Sequence, residues 1–317
     1  MTKRYLTVDG GTTNTRVSLV ENERIVTTRK IERGAKAGID DRDGLKIALR
    51  DTIRTILVEA SLNESDICRI LASGMITSEF GLIELPHVSA PAGIGMLHET
   101  IAHTEIPEVT SIPFSFIRGV KVDSEILDKF DMMRGEETEL CGLMASLGAE
   151  YGDRCIYVLP GSHSKIVSVD AEGRIADFST MLTGEMIAAL SQGTILKDAV
   201  DLSTSDFDSA YLNEGYEYAH QSGLNKALFK TRILKNRFKK SPKEVYSFFI
   251  GAVLADEIDY ILSANAKKVA IGGKKQIKEA MAHLLRTHSE MQVAIIPCSA
   301  VDSSTALGAI RIYEYNG

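Results

Sequence analysis

The 317-residue sequence predicts an α/β protein of two domains, and three observations carry that expectation. The length suffices for two domains of roughly 100–200 residues, and 44% apolar content supplies two ordinary cores. Tyr5–Val20 reads as two β-strands joined by Asp9-Gly10-Gly11-Thr12-Thr13-Asn14-Thr15, a turn suited to phosphate. Ile156–Val169 repeats that plan as a strand, the turn Pro160-Gly161-Ser162-His163, and a second strand. Two such hairpins, centred near residues 12 and 162, are what a duplicated two-domain nucleotide enzyme should show.

The first turn gathers its chemistry in a small volume. Gly10 and Gly11 let the backbone approach a ligand closely, while the hydroxyls of Thr12, Thr13 and Thr15 stand beside amide donors. Asp9 can hold a hydrated Mg²⁺ against phosphate oxygens. Neither a P-loop nor a G-x-G-x-x-G turn is present, and this turn runs from strand to strand.

Further elements follow in order. Arg24–Ile31 is a third strand, and Asp43–Ala60 a helix with Leu45, Leu49, Ile53, Ile56 and Leu57 on one face. Ile67–Ser73 is a buried strand ending in the loop Gly74–Gly81, a candidate substrate wall because ligands of open α/β sheets lie at strand carboxyl ends. Ser111–Gly119 is another strand. Gly135 then precedes Glu136 and Glu137 at the start of a helical run, where the helix dipole favours negative charge. Asn225–Lys243 predicts a basic amphipathic helix and Val245–Leu262 an apolar one. Lys268–Ile271 is a strand entering the bend Gly272-Gly273, whose backbone can lie flat against a purine, and Gln276–Leu285 is helical. Ser303–Tyr313 is a helix with Ala306, Gly308 and Ala309 for close packing. No long linker separates these parts, so the boundary is expected to be a compact hinge near residues 125–135, giving domains 1–130 and 131–317.

Charge and composition narrow the function. A net charge of -7 argues against broad nucleic-acid binding. No apolar run approaches the roughly 18 residues of a membrane span, and Met1-Thr-Lys-Arg enters a strand with no signal-peptide core, so a cytoplasmic, membrane-free protein is expected. The four cysteines lack a C-x-x-C pair and read as buried thiols outside disulfides, and seven scattered histidines offer no zinc pattern.

Asp9-Gly-Gly-Thr-Thr-Asn-Thr15 resembles the first phosphate motif of the actin, hexokinase and Hsp70 ATPase superfamily. That resemblance implies two actin-like ATPase (ribonuclease H-like) domains around a central cleft. Over nearly its full length the chain is similar to the 2-dehydro-3-deoxygalactonokinase family. The motifs are Asp9–Arg16, Ser73-Gly-Met-Ile-Thr-Ser78, Pro91-Ala-Gly93, Met133-Arg-Gly-Glu-Glu-Thr138, Leu159-Pro-Gly-Ser-His-Ser-Lys165, Met181-Leu-Thr-Gly-Glu185 and Phe229-Lys-Thr-Arg-Ile-Leu234. The chain departs from the family pattern at Ile76-Thr77, at Arg118 in place of proline, and at Ser162 and Ile166 in place of Thr and Trp.

The resemblance implies transfer of the ATP γ-phosphoryl group to the 6-hydroxyl of 2-dehydro-3-deoxy-D-galactonate. It assigns Asp9 to Mg²⁺ through water and Gly10, Gly11, Thr12 and Thr13 to the phosphates. Gly161, Ser162 and Ser164 would clasp the phosphates from the second domain, with Gly272 and Gly273 against adenine. The acceptor's general base falls among Glu136, Glu137 and Asp131, with Glu136 foremost and Glu137 able instead to cap the helix or bind metal. Ser73 and Met75 would line the sugar side, and Arg134, Lys165 and Arg16 are eligible for the substrate carboxylate. Two alternatives stand beside this one: a same-fold kinase for another sugar or amino sugar, and a non-catalytic nucleotide-dependent sensor or assembly protein. The oligomeric state is open, a homodimer included.

Overall fold

The structure, a computed structural model, describes residues 2–35, 42–148, 151, 154–264, 266–273 and 275–317. The chain forms two compact units. Met1–Gly152, Ala171–Asp177 and Ser299–Gly317 make the first; Asp153–Asp170 and Phe178–Cys298 make the second.

In the first unit, β1 (Arg4–Gly10), β2 (Thr15–Glu21) and β3 (Arg24–Ile31) form an antiparallel meander. The helix α1 (Arg42–Glu59) follows it, and β4 (Arg69–Gly74) then runs parallel to β1. Next come β5 (Val88–Ser89), α2 (Ile94–Glu99), β6 (Ala102–Thr104), β7 (Phe114–Phe116), β8 (Val120–Val122), β9 (Asp131–Met133) and α3 (Glu136–Leu147). The main sheet has the order β3-β2-β1-β4-β7-β6, and β5-β8-β9 form a small second sheet. The strand expected over Ser111–Gly119 is regular only at Phe114–Phe116. Leu6, Val8, Val17 and Leu19 bury one sheet face against Leu45, Leu49, Ile53 and Ile56 of α1, as the periodicity of that helix requires.

In the second unit the order is β12-β11-β10-β13-β14, built from β10 (Cys155–Leu159), β11 (Ser164–Val169), β12 (Ile175–Met181, of which residues 175–177 count with the first unit), β13 (Lys268–Ile271) and β14 (Gln292–Ile295). Its first two strands are an antiparallel hairpin, and β13 and β14 run parallel. The order matches β3-β2-β1-β4-β7 of the first unit, so the duplication read from two hairpins extends to whole sheets. Among the described residues five helices belong here: α4 (Thr183–Gly193), α5 (Ser209–Ser222), α6 (Leu224–Asn236), α7 (Pro242–Ser263) and α8 (Lys275–His288). The last helix, α9 (Cys298–Tyr313), lies almost wholly in the first unit.

Two expectations change. The basic helix ends at Asn236 instead of running to Lys243, because Ser241 and Glu244 form a capping box and Pro242 opens α7. The expected 130/131 switch falls inside the first unit, because α3 is packed there against β4 and α9. A Cβ on Gly308 of α9 would strike the Thr138 carbonyl of α3, and one on Gly142 would strike the Ser304 carbonyl. The cysteines differ as well: all four are free, but Cys155 alone is buried, Cys141 is partly covered, and Cys68 and Cys298 are exposed. Among the described residues no helix is long and apolar enough to cross a membrane.

Strand register brings the carboxyl ends of β1 and β4 together, pairing Asp9 with Ser73 and Gly10 with Gly74. Gly74 has φ +83°, and a Cβ there would collide with the Gly10 carbonyl oxygen. Gly74→Ala is therefore expected to cost about 3 kcal/mol, from left-handed backbone strain plus overpacking, read as a lower denaturant midpoint.

Candidate active site

The first glycine turn closes on itself. The Gly11 N–H donates to the Asn14 carbonyl at 2.9 Å, and the Thr15 hydroxyl donates to the Arg33 carbonyl at 2.8 Å. Thr15 is thereby withdrawn from any ligand, while Thr13 is exposed and Thr12 half-buried. Across the hairpin, Arg16 Nη1 lies 3.3 Å from Asp9 Oδ2. Burial pushes the Asp9 carboxyl up, and the Arg16 charge and hydrogen bond pull it back. The Arg16 side chain is 65% exposed, so its guanidinium remains open to a second anion.

Helix α3 begins at this place. Its N-cap Gly135 has φ +116°, and a Cβ there would sit 3.1 Å from Gly74 Cα. A built Cβ on Gly10 would in turn lie 2.7 Å from the Ile76 nitrogen. Glycines at 10, 74 and 135 thus let three backbones nest, which puts the helix N-terminus beside the ends of β1 and β4.

The three carboxylates weighed for base chemistry separate clearly. Glu137 is fully buried, and its oxygens accept from the Gly135 N–H at 2.7 Å and the Thr138 hydroxyl at 2.9 Å. Burial, then the neighbouring Glu136 charge, push its carboxyl up to about 7. Glu136 is partly exposed and accepts from the Arg134 N–H at 3.0 Å through Oε2. Asp131 lies on β9 and accepts from the Met132 N–H at 2.6 Å. A fourth carboxylate escaped the sequence reading. Glu139 is raised to about 8 by burial first and then by Glu136 and Asp9, with Arg16 opposing. Its i,i+3 spacing from Glu136 was the available signal, since such residues share a helix face.

The expected substrate cations fare unequally. Arg134 is tied into the loop after β4: Nη1 donates to the Thr77 carbonyl and hydroxyl, each at 2.7 Å. Nη2 donates to the Leu85 carbonyl at 3.0 Å and lies 3.3 Å from His87 Nδ1. Burial lowers its affinity for its proton. Lys165 is buried in the second unit, with Nζ donating to the Thr180 hydroxyl at 2.5 Å. Arg16 is the most exposed of the three. Ser73 is buried at the end of β4, Met75 is partly exposed after it, and Arg118 clamps the Thr100 and Pro86 carbonyls.

The second unit builds a matching place. Gly161 and Ser162 are exposed at the hairpin turn, and the Glu185 N–H donates to the Ser162 carbonyl at 3.2 Å. A Cβ on Gly184 would strike the Gly161 carbonyl, and one on Gly273, φ +78°, would lie 2.6 Å from the Pro160 carbonyl. The hairpin turn, the start of α4 and the Gly272-Gly273 bend therefore converge. Ser164 does not face that turn. It is fully buried and donates to Glu257 Oε1, whose other oxygen accepts from the Thr183 hydroxyl at 2.6 Å. With its proton given to Glu257, the Ser164 hydroxyl has none to offer a phosphate. Glu257 sits on the apolar helix α7, where nothing in the local pattern distinguishes a buried carboxylate from a solvated one.

Among the described residues no three Asp, Glu, His or Cys side chains converge to enclose a metal directly. Asp9, with Glu139 near it, fits Mg²⁺ in another way, since that ion keeps several waters and takes one or two carboxylates besides substrate phosphates.

Two sheets of one topology, each carrying a glycine-bent hairpin next to a helix start, make up the duplicated α/β fold of the actin-like ATPase class. The sequence model of the 2-keto-3-deoxy-galactonokinase family matches residues 9–309, and the chain belongs to that family and is a kinase. It is 27% identical over 288 residues to the 2-dehydro-3-deoxygalactonokinase of Escherichia coli (strain K12), covering 86% of each chain. A Sinorhizobium meliloti crystal structure described as a 2-dehydro-3-deoxygalactonokinase is similar in fold, with TM-score 0.78 at 21% identity over 97% of both chains. Component A of Acidaminococcus fermentans (R)-2-hydroxyglutaryl-CoA dehydratase shares the fold more distantly, with TM-score 0.52 at 13% identity over 98% of this chain and 100% of that one.

Proposed function

We propose that the chain transfers the γ-phosphoryl group of ATP to the 6-hydroxyl of 2-dehydro-3-deoxy-D-galactonate, releasing ADP and the 6-phosphate in the cytoplasm. The observation that carries this reading is the reachable Glu136 carboxylate at the start of α3, beside the Asp9–Arg16 hairpin, in a chain of this kinase family. Glu136 accepts the proton of the 6-hydroxyl as its oxygen bonds to phosphorus, and passes that proton to solvent after ADP leaves. Glu137, with both oxygens already used on the Gly135 N–H and Thr138, holds the helix start in place. Mg²⁺, held through water by Asp9 with Glu139 near, would neutralise phosphate charge. In the first unit Gly10, Thr12 and Thr13 are the groups we assign to phosphate contacts; in the second unit, taken by itself, Gly161 and Ser162 offer the same kind of contact and Gly272 and Gly273 a flat backbone suited to adenine. Arg16 takes the substrate carboxylate, leaving Arg134 and Lys165 to structure.

An ADP-release assay across 2-keto-3-deoxy acids and neutral sugars tests the reading. The galactonate-derived acid should give the highest kcat/KM, and equal values for acidic and neutral substrates would overturn it in favour of a neutral-sugar kinase. Arg16→Met should erase most of the preference for the acid, because a cation facing a neutral analogue is left unpaired only while it is present. Asp9→Asn should lower turnover at least tenfold, and activity should vanish in chelator. Full turnover in chelator would remove Mg²⁺ from the scheme.

A further inference from the structure

The first unit has a cavity of about 440 Å³ lined by Arg69, His98, Ile101, His103 and Tyr313. Arg69 opens β4 and Gly74 closes it, so the cavity lies about 16 Å along that strand from the glycine nest. No residue given a role in catalysis lines it.

Among the described residues no carboxylate forms an ion pair with Arg69. Arg69 Nη1 reaches two neutral acceptors, Ser115 Oγ and His103 Nδ1, both at 3.4 Å. The guanidinium carbon stands 5.8 Å from the Tyr313 ring centre. Among the described residues Arg69 Nε is the one buried side-chain nitrogen or oxygen with no hydrogen-bond partner. The carboxylate of Glu314, next to Tyr313, is already engaged by Lys3 Nζ at 2.8 Å and the Tyr5 hydroxyl at 2.7 Å.

The imidazole tautomers follow from their partners. His98 Nδ1 lies 2.8 Å from the Ile312 carbonyl, which can only accept, so that nitrogen carries hydrogen. His103 Nδ1 faces the Ser115 hydroxyl at 2.9 Å as well as Arg69, so it accepts and the hydrogen sits on Nε2. His103 therefore offers a donor at Nε2, and His98 is held in place through its Nδ1 hydrogen. Burial first, then the charges of Arg69 and His98, hold His103 below the usual histidine range, and both of those charges are positive. A guanidinium with spare N–H capacity beside two imidazoles, with no carboxylate bound to them among the described residues, suits an oxyanion carrying two charges.

We propose that the Arg69–His98–His103 cavity binds a phosphate dianion, free or as the head of a phosphate monoester, separately from the kinase site. A carboxylate brings one charge less and fewer acceptor oxygens to Arg69 and the His103 Nε2–H, and binds more weakly.

Histidine C–H resonances of the full chain, kept in saturating ADP so that the nucleotide site is filled, provide the test. Inorganic phosphate and glucose 6-phosphate should each move the His98 and His103 signals saturably and raise the pH at which His103 titrates. Acetate should bind at least tenfold more weakly. Arg69→Met should weaken phosphate at least tenfold while kcat measured without added phosphate is unchanged. The exposed His103→Gln variant, which leaves the Arg69 packing intact, should weaken it too and decides the matter if Arg69→Met does not fold. Unsaturable shifts, unchanged phosphate affinity in His103→Gln, or acetate binding as tightly as phosphate would each overturn the assignment. Saturation by inorganic phosphate but not by glucose 6-phosphate restricts the site to the free ion and supports it.

Discussion

Glu136→Gln is expected to lower kcat by about 10²–10⁴ while ATP affinity stays within a few-fold of the unmodified protein. The amide keeps the size of the side chain and can still accept from the Arg134 N–H, so the start of α3 should stand. What it loses is the capacity to take a proton. Steady-state turnover together with equilibrium nucleotide binding separates these effects. If Gln at 136 leaves kcat intact, the base is elsewhere, with Glu139 the first alternative because it shares the helix face and the field of Asp9.

Glu137→Gln should act on stability and pH instead. In the folded protein its carboxyl keeps a proton up to about pH 7, against an ordinary value of 4.5. Between those values the folded state binds more protons than the unfolded one, so the stabilisation is complete below pH 4.5 and declines as pH rises to 7. At about 1.4 kcal/mol per unit the loss is about 3 kcal/mol. Glu139, raised to about 8, adds a slope of the same sign that persists slightly further. Gln at 137 can place its oxygen on the Gly135 N–H and its NH₂ on the Thr138 hydroxyl, so the variant should fold. Denaturant titrations from pH 5 to 8 should show a flatter profile than the unmodified protein, with kcat reduced less than tenfold. A slope unchanged by the substitution would show that Glu137 is not the group responsible.

The two carboxylates were adjacent letters in the sequence, and position alone could not divide their roles. Their burial differs, Glu137 turning inward onto its own helix start while Glu136 remains reachable, and that difference is what supports the proposed division. The hairpins were legible because alternation and Gly-rich turns are local signals, and α1 because one apolar face repeats every 3.6 residues. Helix α5 was missed since its outward face, with Glu214, Glu217 and His220, masks the Leu212, Tyr216 and Ala219 stripe that packs in the core. The short sheet β5-β8-β9 was invisible because strands of two or three residues carry no period. Glu257 was hidden for a different reason: the partners that explain it, Ser164 and Thr183, lie 93 and 74 residues away in the chain.

The first unit is assembled from three separate stretches, and its part of the last helix, from Ser299 onward, follows every residue of the second unit in the chain. On the ribosome this reverses the usual order in which an N-terminal domain matures first. Until α9 emerges, Gly142 of α3 has no Ser304 backbone to rest on, and the Thr138 carbonyl has no Gly308 beside it. The sheet that holds Asp9 must therefore wait, open along that helix, while the second unit is synthesised and can fold. A stalled nascent chain ending before residue 298 should expose the first unit to protease even where the second is already resistant.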